Sequence, residues 1–156
     1  MEIYLLNKKD VKEYSKVAKK IINKVPYYSL KAKKWETKNF ESSRISKNLK
    51  DKSKIHVVAK EKRKIIGFLS GYFYAGTFWV DWIGVLREFR KKKVSLELFR
   101  YTEKVAKKRE AHKIWFDSRT NNKEAISLFK KLGYKKIVLL KNHWYGHDFY
   151  IWQKLI

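Results

Sequence analysis

The chain contains no cysteine. It therefore has no disulfide framework, no thiol nucleophile and no cysteine-based zinc site. One proline and six glycines among 156 residues are too few for a collagen-like or low-complexity chain. No apolar run approaches the roughly 18–20 residues that a membrane span needs. The opening segment MEIYLLNKKD lacks the apolar core of a secretory signal and predicts a first strand instead. A soluble cytoplasmic protein with no membrane partner is the expectation. The sequence also lacks a G-x-x-x-x-G-K-S/T phosphate loop, a G-x-S-x-G nucleophile elbow and an H-E-x-x-H zinc helix. Acids are scarce: 15 Asp and Glu stand against 39 Lys and Arg, for a net charge of +24.

The rest is ordinary for a globular protein. A hydrophobic fraction of 44% over this length supplies one core, so residues 1–156 read as a single domain. The excess charge is mostly lysine. Low-GC coding favours that composition, but basic surfaces also attract nucleic acid, acidic lipid and phosphorylated cofactors.

Hydrophobic spacing predicts the elements. A strand over 2–6 precedes a helix capped by Asp10, with Val11, Tyr14, Val17, Ala18, Ile21, Ile22 and Val25 on one face and Pro26 as its stop. Residues 27–52 carry aromatics too sparse for one continuous stripe and read as an interrupted helical region. Strands over 54–61, 65–74 and 77–86, joined by tight turns, predict an antiparallel meander. A helix follows over 94–109, then a strand over 112–118. Next comes a helix capped by Asn121 or Asn122 and stopped by Gly133, and strands over 135–140 and 148–155 close the chain. The order β-α-α-β-β-β-α-β-α-β-β predicts an α/β fold of the α+β type, a mixed sheet with helices on both faces.

The segment Val85-Leu86-Arg87-Glu88-Phe89-Arg90-Lys91-Lys92-Lys93-Val94-Ser95 ends a strand and opens a helix. Four basic residues at a helix N-terminus oppose the helix dipole, by about 0.3–1 kcal/mol each at the surface. An anion reverses the sign, because free amides, dipole and lysines then all face it. The alternative is a solvated charge run in a very basic protein.

These residues, with a second segment, resemble the GNAT superfamily of N-acetyltransferases. Its strand ending in Val leads into an Arg/Gln-x-x-Gly-x-Gly/Ala turn whose amides hold the pyrophosphate of acetyl-CoA. Here Arg90 matches, while Lys93 and Ser95 take the places of the two glycines. The segment Asn122-Lys123-Glu124-Ala125-Ile126-Ser127-Leu128-Phe129-Lys130-Lys131-Leu132-Gly133-Tyr134 is similar to the family's N-x-x-A-x-x-L-Y-x-x-x-G-F/Y pattern, with Phe129 for the Tyr. The resemblance implies a GNAT-like fold and acetyl-CoA as co-substrate. It places the cofactor against Ile83, Gly84, Val85, Arg90, Lys91, Lys92, Lys93, Val94, Ser95, Asn122 and Phe129. It also implies a splay between the strands at 77–86 and 112–118, with the Val85 N–H polarising the thioester.

Direct attack by an amine requires a base, because alkylamines are mostly protonated at pH 7. Asp81 is the only acid in TFWVDWIGV and shares strand parity with Trp79, Ile83 and Val85, which predicts a raised pKa. Pairing with a lysine, or facing solvent, is the alternative. Asp117 is the second candidate, on its resemblance to ribosomal-protein alanine acetyltransferases; its alternative is a salt bridge to Arg119. Family members use the motif tyrosine to protonate the leaving thiolate. Phe129 has no such proton, so Tyr145, Tyr150 or water is expected to supply it. His143 and His147 have metal-pair spacing but lie in a loop with no third ligand, so no metal is expected. An amine-bearing small molecule or protein is the expected acceptor, and the high positive charge disfavours a polycationic one. The rival reading is a nucleic-acid-binding module on the same fold, with lysines on phosphates and aromatics stacking on bases. A monomer or homodimer is expected.

Overall fold

In the computed structural model, which describes residues 1–156, seven strands form one sheet in the order β1-β2-β3-β4-β5-β7-β6. The strands are β1 (Glu2–Leu5), β2 (Lys54–Glu61), β3 (Lys64–Tyr74), β4 (Thr77–Val85), β5 (Lys113–Arg119), β6 (Lys135–Leu140) and β7 (Phe149–Leu155). The helices are α1 (Val11–Asn23), α2 (Leu30–Lys38), α3 (Ser42–Asn48), α4 (Val94–Lys108) and α5 (Lys123–Lys131). The mixed sheet expected from the element order is therefore present. β1 to β4 form an antiparallel meander, β4 and β5 are the parallel pair, and β7 runs antiparallel between β5 and β6.

Two cores cover the two faces. One gathers α4 and α5 against the sheet through Leu98, Phe99, Phe116, Phe129 and Trp152. The other seats α1 through Tyr14, Ala18 and Ile22 on Val58, Ile65 and Phe68, with Phe40 and Ile45 closing its flank. Residues 27–52 resolve into α2 and α3, with only Ala32 buried on α2 and Ile45 on α3. So few apolar anchors explain why no continuous stripe runs through that segment.

Asp10 stands at the N-cap position of α1, as expected, but its side chain does not do the capping. Asn7 caps a 3₁₀ turn at Lys8–Asp10, and Asp10 makes no cap bond to α1. Its carboxylate instead accepts from Lys60 Nζ at 2.8 Å and from the Tyr4 hydroxyl at 2.9 Å. A nearly buried carboxylate stays charged only beside such donors.

The strand parity assigned to Asp81 is also corrected. Ser70 pairs with Trp82 but Gly71 pairs with Val80, so Asp81 is the extra residue of a β-bulge. The bulge flips the pleat. Phe78 and Val80 face the α4 core before it, and Ile83 and Val85 face that core after it. Trp82 turns to the α1 side. Gly71 permits the bulge, because a Cβ there would run into the Trp79 carbonyl and the Phe78 ring.

Candidate active site

The parallel pairing of β4 with β5 covers only Thr77↔Lys113, Phe78↔Ile114 and Trp79↔Trp115. Beyond it both strands continue unpaired with each other, to Val85 and Arg119, so a fork opens between them. The Trp79 and Trp115 rings meet edge to face at 4.7 Å at its base. Asp81 and Asp117 each lie two residues further on, one on either arm.

Successive amides of a strand point to opposite sides. Leu86 donates its N–H to Ile66 O on the β3 side at 2.9 Å. The Val85 N–H therefore points the other way, into the fork, where β5 offers no carbonyl. Ile83 and Val85 belong to the α4 core, while Gly84 faces α1, where a Cβ would press on Ile21 at 2.8 Å.

The open end of the fork meets the N-terminus of α4. No side chain caps that helix. Lys91 and Lys93 both hold left-handed backbone, at φ 62° and 61°. The turn thus keeps a conformation that glycine adopts freely and lysine adopts at a cost of about 1–2 kcal/mol. Arg90, Lys91, Lys92 and Lys93 are exposed, and none forms an ion pair. Val94 is buried and Ser95 partly so. Arg90 Nε reaches only the Val85 carbonyl and Lys92 the Phe89 ring, so these cations have no acid partner, and beside uncapped amides they suit a diphosphate. Across the fork, Asn122 caps α5 by accepting from the Ala125 N–H at 3.2 Å. Phe129 lies on the inner face of that helix, 3% exposed, packed on Phe99, Phe116 and Trp152.

On the α1 side, the fork is walled by residues 24–29 before α2, by α2 itself and by the loop between β6 and β7. Glu36 of α2 joins these parts. It accepts from Trp82 Nε1 at 3.0 Å and from the Tyr145 hydroxyl at 2.6 Å. Tyr28 packs on Trp82 at 6.1 Å and on Tyr145 at 5.3 Å. Glu36 carries no motif and sits in a lysine-rich helix; only its contacts mark it. Asp117 accepts from Trp144 Nε1 at 2.7 Å and forms no salt bridge with Arg119, which rules out that alternative. His143 stacks against Trp144 and Phe149, and His147 lies against Tyr27.

These surroundings set the proton affinities. Asp81 makes no ion pair, and its side chain is exposed on the arm of the fork, with Glu36 and Asp117 as acidic neighbours. Desolvation, then the charges of Glu36 and Asp117, push its carboxyl up to about 6, against a smaller opposing pull from Lys54. Asp117 is raised too, by burial first, with the Trp144 bond and His143 opposing. The Tyr145 hydroxyl is pushed well above the usual phenol range by burial and by Glu36, so it keeps its proton.

The likeness to known proteins agrees with this geometry. Residues 21–134 match the model of the acetyltransferase (GNAT) family. The chain belongs to that family. No curated protein matches the chain in sequence. Among solved structures it is similar to a PaiA N-acetyltransferase from Thermoplasma acidophilum in complex with coenzyme A, at 19% identity and a TM-score of 0.82, covering 100% of both chains. The ribosomal-protein-S18-alanine N-acetyltransferase of Escherichia coli gives 15% identity and a TM-score of 0.77, covering 99% of this chain and 93% of that one. An aminoglycoside 6′-acetyltransferase type Ii gives 18% and 0.79, covering 99% and 97%. At these identities the solved structures establish the fold.

Proposed function

We propose that this family member is an acetyl-CoA-dependent N-acetyltransferase that acylates a primary amine by direct attack at the fork between β4 and β5. The observation that carries the reading is the coincidence of three features at one opening. The strands part just beyond Trp79 and Trp115, a raised-pKa carboxyl sits on one arm, and an uncapped helix N-terminus ringed by free cations stands at the open end. Acetyl-CoA supplies an activated thioester acyl group.

The chain's own residues do the rest. The amides of Val94 and Ser95 with Arg90, Lys91, Lys92 and Lys93 take the pyrophosphate. Ile83, Gly84, Val85 and Asn122 border the rest of the cofactor, and Phe129 supports that wall from the core. The inward Val85 N–H donates to the oxygen on which negative charge develops. Asp81 receives the proton that the acceptor ammonium gives up, which its raised pKa suits. Asp117 shares the charge of the amine from the other arm. The Tyr145 hydroxyl gives its hydrogen bond to Glu36 and holds its proton tightly, so it serves the wall rather than the expected acid role, and water or Tyr150 is the proton donor assigned to the leaving thiolate. The acceptor is a small amine or a protein amine, and residues 1–156 work as one domain in the cytoplasm.

Release of the CoA thiol from acetyl-CoA, followed with a panel of primary amines, tests the proposal. Amine-dependent release by the wild type, reduced at least tenfold in Asp81→Asn, is the expected result. Wild-type rates that the mutation leaves unchanged would remove Asp81 from the chemistry, and no release with any amine would sink the acetyltransferase reading.

A further inference from the structure

Arg119 is the last residue of β5, on the same strand face as Trp115 and Asp117. Its Nε and Nη1 are buried without a hydrogen-bond partner. It forms no ion pair, since nearby Asp117 is taken up by Trp144. Only the Tyr27 ring, 4.1 Å from the guanidinium carbon, answers its charge. A guanidinium does not deprotonate in a protein, so it cannot shed that charge. Burying charged donors with nothing to receive them is costly, and such orphans in a native fold call for a missing partner.

We propose that the missing partner is a carboxylate of the acceptor: the enzyme acylates a primary amine that carries its own carboxylate, as an amino acid does, and Arg119 recognises that group. The guanidinium fork matches a planar carboxylate through two parallel hydrogen bonds, from Nη2 together with Nε or with Nη1. Arg119 lies with Tyr27 on the strand face of Trp115 and Asp117, whereas α4, which the basic turn opens, packs on the opposite face through Phe116. Asp117 and Arg119 are two residues apart on one face, about 6.6 Å at the usual rise of a strand. A ligand of single-residue size spans that distance, with its amine toward Asp117 and its carboxylate toward Arg119. The net charge of +24 favours such an acceptor over a polycation. Tyr27 sits between α1 and α2, and its hydroxyl has no hydrogen bond in the chain. Its ring covers the guanidinium, so an arriving carboxylate has to displace it.

The inference rests on the acetyltransferase reading, so acetyl-CoA binding is measured on the same samples. Acceptors are tested in matched sets, an amino acid with its carboxamide, its decarboxylated amine and a phosphate-bearing amine, against wild type and Arg119→Gln. Turnover is read as kcat/KM, and acceptor binding in the presence of CoA by calorimetry. The wild type is expected to prefer the carboxylate over the carboxamide at least tenfold, and Arg119→Gln to bring that ratio within threefold of one. The free variant loses the Tyr27 ring contact but also sheds the buried, unpaired charge, so it is expected to melt no lower than the wild type; a structural guanidinium would lower the melting point. Equal wild-type rates overturn the inference. So do a preference that survives the mutation, a lower melting point, or a better phosphate-bearing acceptor. Acetyl-CoA bound without any of the carboxylate acceptors being acetylated or bound also overturns it. If acetyl-CoA itself fails to bind, the acetyltransferase reading is what falls.

Discussion

At the scale of single residues, Asp81 and Lys93 carry strain of different kinds. Desolvation, with Glu36 and Asp117 nearby, pushes the Asp81 carboxyl from the ordinary 3.8 up to about 6. Its folded-state affinity for a proton is raised, so its ionisation works against folding. That penalty is absent at low pH, grows as pH rises from about 4 to 6, and is complete above. Asp81→Asn is therefore expected to raise the melting temperature at pH 7.5 and to leave it unchanged near pH 3.5. The same mutation should remove the rise of wild-type kcat/KM through pH 6. Thermal melts and rate profiles across pH on the two proteins check both halves, and a variant less stable at pH 7.5 would contradict the origin given for the shift. Lys93 holds a left-handed backbone at φ 61°. Lys93→Gly should stabilise the free protein by about 1 kcal/mol, while Lys93→Ala keeps the strain and loses the charge. If amides rather than lysine charge dominate pyrophosphate binding, the Gly variant will hold acetyl-CoA at least as tightly as wild type; titration calorimetry with the three proteins decides. The sequence announced the replaced glycine but not its geometry, because a dihedral angle leaves no mark in residue identity.

At the scale of elements, most of the fold was legible because each element carries its own period. β2, β3, β4 and α4 fall within a residue or so of where alternation and helical spacing put them. Their apolar residues are dense enough to phase a strand or a helix. The α2–α3 region was only loosely legible, since each helix buries one residue and its role is to form a wall. Glu36 lies there, and nothing local separates it from other charged residues of a polar helix; its meaning comes from Trp82 and Tyr145, 46 and 109 residues away. The bulge at Asp81 escaped for a similar reason. Alternation reads a strand as if its pleat were unbroken, and the cue for the break, Gly71, sits on the neighbouring strand. Gly71→Ala thus has a definite consequence. Its Cβ would meet the Trp79 carbonyl, which is backbone and cannot step aside. The β3–β4 register must shift, costing about 1–3 kcal/mol and moving Asp81 relative to Asp117. A lower denaturation midpoint with a loss of turnover beyond that of Asp81→Asn is the expected outcome. A variant with normal stability and rate would show that the bulge does not set the site.

At the scale of the whole molecule, the large positive charge is mostly unpaired. Of 39 Lys and Arg, only Lys20, Lys54, Lys60, Arg100 and Lys154 form ion pairs. Charges of one sign on one surface repel, and salt relieves them, because the Debye length falls from about 30 Å at 0.01 M to about 8 Å at 0.15 M. The free protein should melt at a higher temperature in 0.15 M salt than in 0.01 M. The same contrast separates a cofactor pocket from a surface for nucleic acid. Acetyl-CoA at the fork is held by amides and fitted contacts as well as by lysines. At a hundred times its Kd it should stabilise the protein by about 2.7 kcal/mol in either salt, more than ADP does. Binding of a DNA duplex rests on counterion release, so its stabilisation should fade steeply between the two salt concentrations. Thermal melts with acetyl-CoA, ADP and a short duplex at both concentrations make the comparison. A saturable acetyl-CoA shift that survives salt puts the charge in the service of the fork. If the duplex alone stabilises, and only at low salt, the GNAT fold here has kept its frame and turned its lysines to phosphate backbones.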